Sequence, residues 1–205
     1  MQHGERFNTI SHLIATGFSA LGAIVLLSIA VAKHDIVEII AFSVYSLTTV
    51  GLYSASTLYH GSHGTIKHLL RRLDYIGIYL KIAGNYTPFM ILILRGAGGW
   101  AVLGVVWSLA LLGIYQEFHY GRRTRRYSML IYGVMSLAVL PVVKNLVDAL
   151  PPAAFGLILA GYVSYAIGFY FYVNDHRFEH GHGLWHIGVI GGTLFQYLCL
   201  LMYVA

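Results

Sequence analysis

The sequence predicts an all-α integral membrane fold, a bundle of seven transmembrane helices. Three observations carry that prediction. Of 205 residues, 58% are hydrophobic and only 10% charged; the mean hydropathy is +0.69; and the apolar residues fall into seven long runs. A soluble domain carries about 25% charged residues, so most of this surface faces something other than water. One span takes about 20 apolar residues, so seven use about 140 and leave about 65 for ends and connections. Residues 1–205 therefore read as a single seven-span domain, with no room for a soluble one.

Apolar run length places the spans at Ile10–Ala32, Ile36–Tyr59, Leu73–Leu94, Trp100–Glu117, Tyr127–Leu146, Ala153–Val173 and Leu184–Val204. Polar or turn-forming residues punctuate them: Lys33-His34-Asp35, His60 to Arg72, Arg95 to Gly99, Gly121 to Arg126, Pro151-Pro152, and Asn174 to Gly183. Pro88 and Pro141 fall inside spans and are expected to kink them. Small residues recur where helices must approach closely: Gly17, Ser19 and Gly22 in the first span, Gly161, Ser164 and Gly168 in the sixth, Gly188, Gly191 and Gly192 in the seventh.

Basic residues are unevenly divided. The N-terminus and the second, fourth and sixth connections hold Arg6, Lys67, Arg71, Arg72, Arg122, Arg123, Arg125, Arg126 and Arg177, against Lys33, Arg95 and Lys144 on the other side. Nine against three puts the N-terminus in the cytoplasm and the C-terminus outside, as a multi-pass protein of the inner (plasma) membrane. In that setting the net charge of +5 and pI near 9.3 mark topology, and no nucleic-acid partner is expected. Membrane lipids are the expected partners. The polar start, Met1 to Arg6, argues against a removable signal peptide. The lone Cys199 excludes an internal disulfide and any thiolate metal cluster.

Chemistry-bearing residues concentrate at the cytoplasmic side. The second span runs inward and ends in Ser56-Thr57-Leu58-Tyr59-His60, the third opens with Leu73-Asp74-Tyr75, and the seventh opens with His182-Gly183-Leu184-Trp185-His186. Residues four apart on a helix differ by about 40° in direction and about 6 Å in height, so His182 and His186 can present imidazoles to one metal ion. Three imidazoles with water or carboxylate form the ligand set of a catalytic zinc with an open position, and a thiolate-free set suits zinc best, with iron and manganese as the alternatives. Ser56, one turn deeper than His60, can reach a ligand, a water or Asp74. Blander readings stand beside these. Asp74 can be the N-cap or first-turn carboxylate of the third span, Ser56 one more small packing residue, and the histidines interfacial.

The remaining polar residues read as follows. His63, His68, His176 and His180, with Asp175 and Glu179, form either a metal-intake patch or a solvated loop, and His119 beside Arg122–Arg126 reads as a membrane-surface loop. Lys81 pairs with Asp74 through water, snorkels, or contacts Asn85; the sequence leaves the choice open. Glu5, Asn8 and His12 share a face before the first apolar stretch and read as a short interfacial turn capping the bundle.

Taken in order, Glu5-x-x-Asn8-x-x-Ser11-His12, Ser56-x-x-x-His60, Leu73-Asp74-Tyr75-Ile76-Gly77-Ile78, Ala83-Gly84-Asn85-Tyr86-Thr87-Pro88-Phe89 and His182-x-x-x-His186 resemble the hemolysin III family of bacteria. That family is related to the progestin and adipoQ receptors and to a superfamily of presumed membrane hydrolases that includes alkaline ceramidases. The resemblance spans essentially the whole chain. It implies zinc held by His60, His182 and His186, with Asp74 holding or activating a water and Ser56 in support. Two positions depart from the pattern: Gln196 stands where many relatives carry a histidine, and Lys81 where they carry an apolar residue.

Three functions compete. A zinc-dependent intramembrane hydrolase would cleave an amide or ester of a lipid substrate and affect membrane lipid homeostasis, its acyl chain entering a cleft between the second, third and seventh spans. A non-enzymatic membrane sensor or regulator would use zinc as a structural tie. A pore-forming hemolysin, the reading behind the family name and its cytolysis, finds little support in short loops and small-residue packing. A retinal-type pump is disfavoured because the last span contains no lysine.

Overall fold

The computed structural model describes residues 5–120 and 125–205. Every regular element among them is helical: α1 (Glu5–Ala32), α2 (Ile36–Gly61), α3 (Ile66–Pro88), α4 (Ala97–His119), α5 (Arg125–Leu137), α6 (Val143–Ala149), α7 (Pro152–Val173) and α8 (Gly181–Tyr203). A π-helical segment, Phe89–Leu94, extends α3, and α5 with α6 makes the fifth span. Seven helical segments are long and apolar enough to cross a membrane. This is the multi-pass architecture that composition predicts. Residues 1–4 and 121–124, with Arg122 and Arg123 of the cluster assigned to the fourth connection, lie outside the described residues.

Local chemistry explains where the helices begin and bend. Asp35 caps α2, its carboxylate accepting from the backbone N–H of Val37 at 2.8 Å and of Glu38 at 3.1 Å. Pro152 occupies the first position of α7, where its missing N–H costs nothing. Both predicted kinks appear as breaks in helix type: Pro88 stands where α3 turns π-helical, and Pro141 lies in a 3-10 turn, Leu140–Val142, between α5 and α6.

Two boundaries differ from the expectation in a way that matters. The first span starts at Glu5 and the third at Ile66, earlier than Ile10 and Leu73. Hydropathy misses these turns because they carry charge, yet most of those charges have partners. Lys67 pairs with Glu5 at 2.5 Å, Arg71 lies over the Tyr75 ring at 5.7 Å, and Arg72 over Phe118 at 5.8 Å. Asp74 is therefore buried well inside α3, not in its first turn, and the capping role is ruled out. Glu5, Asn8 and His12 likewise belong to α1 itself, not to a separate interfacial turn.

The bundle is held by close backbone approach. On α7 and α8, a Cβ added at Gly188 would meet Gly168 Cα at 2.5 Å, and one at Gly161 would meet the Gly192 carbonyl oxygen at 3.2 Å. Ser164 seals the same seam by donating to the Gly188 carbonyl at 2.9 Å. The α2–α3 pair is similarly tight, with Gly77 over Leu52 and Gly84 over Thr48. Gly17, by contrast, has nothing near it and does not serve as a packing residue.

The surface is inverted relative to a soluble protein. Leu13, Phe18, Leu21 and Ile24 of α1 and Leu111 and Leu112 of α4 face outward, while the interior holds polar groups that bond to one another. Lys81 donates to Asn85 Oδ1 and lies 4.5 Å from the Tyr45 ring centroid. Asn85 donates to Gln196 Oε1 at 2.6 Å, Tyr165 donates to the same oxygen at 3.0 Å, and Tyr165 and Thr193 hydroxyls meet at 3.3 Å. The ambiguity over Lys81 is thus resolved in favour of Asn85. Lys81 and Gln196 meet through that one residue.

Filling the α7–α8 seam tests this packing. Gly188→Val is expected to lower stability by about 1–3 kcal/mol, the cost of overpacking a close contact. A thermal or denaturant unfolding series in detergent, beside the outward-facing Leu159→Val, measures it.

Candidate metal centre

Three helices converge at the end of the bundle where α1 begins. α2 arrives there with His60 in its last turn, and α8 departs with His182 and His186 on its first two turns. Among the described residues, His60, His182 and His186 form the one group of three or more His, Cys, Asp or Glu side chains whose ligand atoms converge, each offering a nitrogen within 4.8 Å of the others. Their ring centroids are 4.9 to 5.2 Å apart. His60 and His186 are buried, and His182 is half-buried.

The donor chemistry fits a cation. Both ring nitrogens of His60 and Nδ1 of His186 are buried without a hydrogen-bond partner. Leaving such groups unsatisfied costs about 1–3 kcal/mol each, and a metal ion shared among converging imidazoles removes that cost. The spacing also suits it. Rings at these separations are close enough to turn one nitrogen each toward a shared ion, which imidazole nitrogens hold at about 2.0–2.1 Å.

Ser56 and Asp74 are both buried, on α2 and α3. Ser56 is 1% exposed, one helical turn from His60. The α2–α3 contacts, Thr48 with Gly84 and Leu52 with Gly77, set an antiparallel register. Continued toward the triad, it brings Asp74 level with Ser56. Both predicted acid–base residues are therefore buried at neighbouring depth.

The most informative residue is one assigned only to a cap. His12 of α1 is 3% exposed, and its ring stacks on His186 with centroids 3.8 Å apart and planes 17° from parallel. It also meets Tyr53 edge-on at 4.9 Å, and neither His12 nitrogen has a hydrogen-bond partner. Glu5 Oε1 lies 3.8 Å from His60 Nδ1. The signal that finds these two residues is their shared face with Asn8 in Glu5-x-x-Asn8-x-x-Ser11-His12; apolar periodicity, which governs the rest of α1, hides it.

The other histidines divide. Asp175, Glu179 and His180 line a small cavity of about 160 Å3 with Asn8, Phe178 and His182, so half of the supposed intake patch does border the centre. His63, His68 and His176 do not line it. His119 is exposed and stacked on Tyr115 at 4.0 Å, as expected of a surface position. A larger cavity of about 440 Å3 lies between α1, α2 and α8, lined by Ile14, Ala15, Phe18, Tyr53, Ile190 and Leu194 among others. The expected cleft against the third span is not where this space lies, because α3 packs directly on α2 at Gly77 and Gly84.

Tyr53 joins the centre to the cavity wall and to the polar interior, donating to Thr193 Oγ1 at 2.7 Å. Tyr53→Phe is expected to cost about 0.5–1.5 kcal/mol, the net worth of one buried hydrogen bond. Comparison of its unfolding midpoint with wild type reads that directly.

The chain matches a family model described as haemolysin-III related over residues 1–197. It is 36% identical to Hemolysin-3 of Bacillus cereus over 202 residues, 98% of this chain and 91% of the relative. It is 34% identical to a Hemolysin-3 homolog of Bacillus subtilis (strain 168) over 200 residues, 97% of this chain and 93% of the relative. With seven apolar helices and matches of this extent, the chain is a multi-pass integral membrane protein, in bacteria one of the plasma membrane, and it belongs to the haemolysin III family.

Proposed function

We propose that the protein is a zinc-dependent intramembrane hydrolase that cleaves an amide or ester bond in a lipid. The observation that carries this reading is the convergence of His60, His182 and His186 nitrogens, with those of His60 and Nδ1 of His186 lacking a hydrogen-bond partner, near a helix pair that buries Ser56 and Asp74. A zinc ion bound there supplies Lewis acidity, polarising a carbonyl and making water a better nucleophile at neutral pH.

The chain's own residues account for the rest. Asp74, buried in α3 at the depth of Ser56, takes the proton from the attacking water as general base. Ser56 is the positioning hydroxyl for that carboxylate or for the water. The cavity between α1, α2 and α8, walled by Ile14, Phe18, Ile190 and Leu194, holds an acyl chain with the scissile group toward the histidines. Its apolar lining excludes water from all but the polar end. Nine basic residues on the N-terminal side against three opposite support a cytoplasmic site.

Metal analysis of purified protein is the first test. Wild type should carry about one zinc per chain, and His60→Ala and the double variant His182→Ala/His186→Ala should lose it, since each removes part of the set that defines a catalytic site. Retention of zinc by both variants overturns the assignment.

Asp74→Asn tests catalysis separately. It should keep zinc while lowering lipid turnover by about 100-fold or more, the usual worth of a positioned general base. Mass spectrometry of native membrane lipids incubated with each protein measures turnover. Zinc retained with no lipid product from wild type identifies the metal as a structural tie in a non-enzymatic membrane sensor or regulator.

A further inference from the structure

We infer that α1, which supplies none of the three imidazoles, sets how tightly the centre holds its metal, through Glu5 and His12 acting on His60 and His186. This rests on the metal reading above.

Three successive turns of α1 address the ligand histidines. At its start, Glu5 places Oε1 3.8 Å from His60 Nδ1, within reach of a bridging water or a small rotation, while its Oε2 is anchored by Lys67 of α3 at 2.5 Å. One turn on, the backbone of Asn8 hydrogen-bonds the His186 ring. The next turn carries His12, stacked flat on His186 at 3.8 Å. The approach is built into α8. A Cβ at Gly183 would stand 2.2 Å from the Phe7 ring, so only glycine admits α1 this close to the histidine pair.

An imidazole donates along a lone pair in its ring plane, so metal affinity depends on holding that plane. Terminal ring torsions are broad when left free. The parallel His12 ring confines His186, and His12 is itself held by the Tyr53 edge. A carboxylate near the second nitrogen of a ligand histidine fixes its tautomer and raises its basicity, and losing such a partner typically costs 10–100-fold in affinity. Glu5 is the carboxylate so placed at His60. These are positioning roles, distinct from ligation, and the two residues act on different ligands.

The test is zinc affinity of the purified full chain, by competition with a chromophoric chelator, for Glu5→Gln, His12→Ala, His12→Phe and the lipid-facing control Leu13→Ala. Glu5→Gln and His12→Ala should each weaken zinc binding by about 10–100-fold. His12→Phe keeps an aromatic face against His186 and should recover most of the loss, which general loosening of the fold does not predict. Leu13→Ala should match wild type. Wild-type affinity in both Glu5→Gln and His12→Ala overturns the inference while leaving the metal reading intact. An equal loss in Leu13→Ala overturns it too, by reducing the effect to destabilisation. Wild-type protein that binds no zinc refutes the metal reading itself, and this inference falls with it.

Discussion

Hydrocarbon offers a polar group no hydrogen bond, and that constraint organises this molecule. Backbone groups are satisfied by making every span a helix. Polar side chains must find partners inside the bundle, so the interior carries what a soluble core would exclude. The run Tyr53, Thr193, Tyr165, Gln196, Asn85 and Lys81 is bonded from member to member. Unpartnered buried atoms occur elsewhere too, at Glu38, Tyr45, Ser46 and Arg71, but those of His12, His60 and His186 are ring nitrogens gathered at one place. Clustered orphans of one donor type point to a shared ligand.

Close helix packing converts that chemistry into a site. α7 and α8 touch backbone to backbone at Gly168 and Gly188, which fixes the direction in which α8 presents His182 and His186. α1 runs parallel to α8 from the same end, so His12 meets His186 and Phe7 meets His180 in step. α2 runs against both and delivers His60 to the same level. Where α3 presses on α2 no room is left, and the apolar space opens instead beside α1 and α8. The lipid-sized cavity and the histidines are neighbours because the same helices form both.

Lys81 and Gln196 show how the bundle accommodates strongly polar groups at its centre. Taken separately, a lysine in the third span and a glutamine in the last look unrelated. In the bundle they converge on Asn85, one donating to its carbonyl and the other accepting from its amide. A buried ammonium needs an acceptor and a buried amide needs both its ends satisfied. The pair meets both needs in the interior of the bundle.

The number of spans, the grouping of small residues on the sixth and seventh spans and the identity of the three converging histidines were all legible in the chain: the first two from run length and residue size, His182 and His186 from a four-residue repeat on one helix, and His60 from the direction of the second span. The charged first turns of α1 and α3 were not, since hydropathy counts charges without seeing Glu5 and Lys67 neutralise each other across sixty residues. Nor was the burial of Asp74, which a helix starting at Leu73 would have left in its first turn. The largest gap was His12. Sequence determines that Glu5, Asn8 and His12 share a helical face; only the packing of α1 on the glycines of α8 decides what that face touches. Which residues can bind a metal is a matter of side-chain chemistry, and which residues hold them in place is a matter of how separate helices meet.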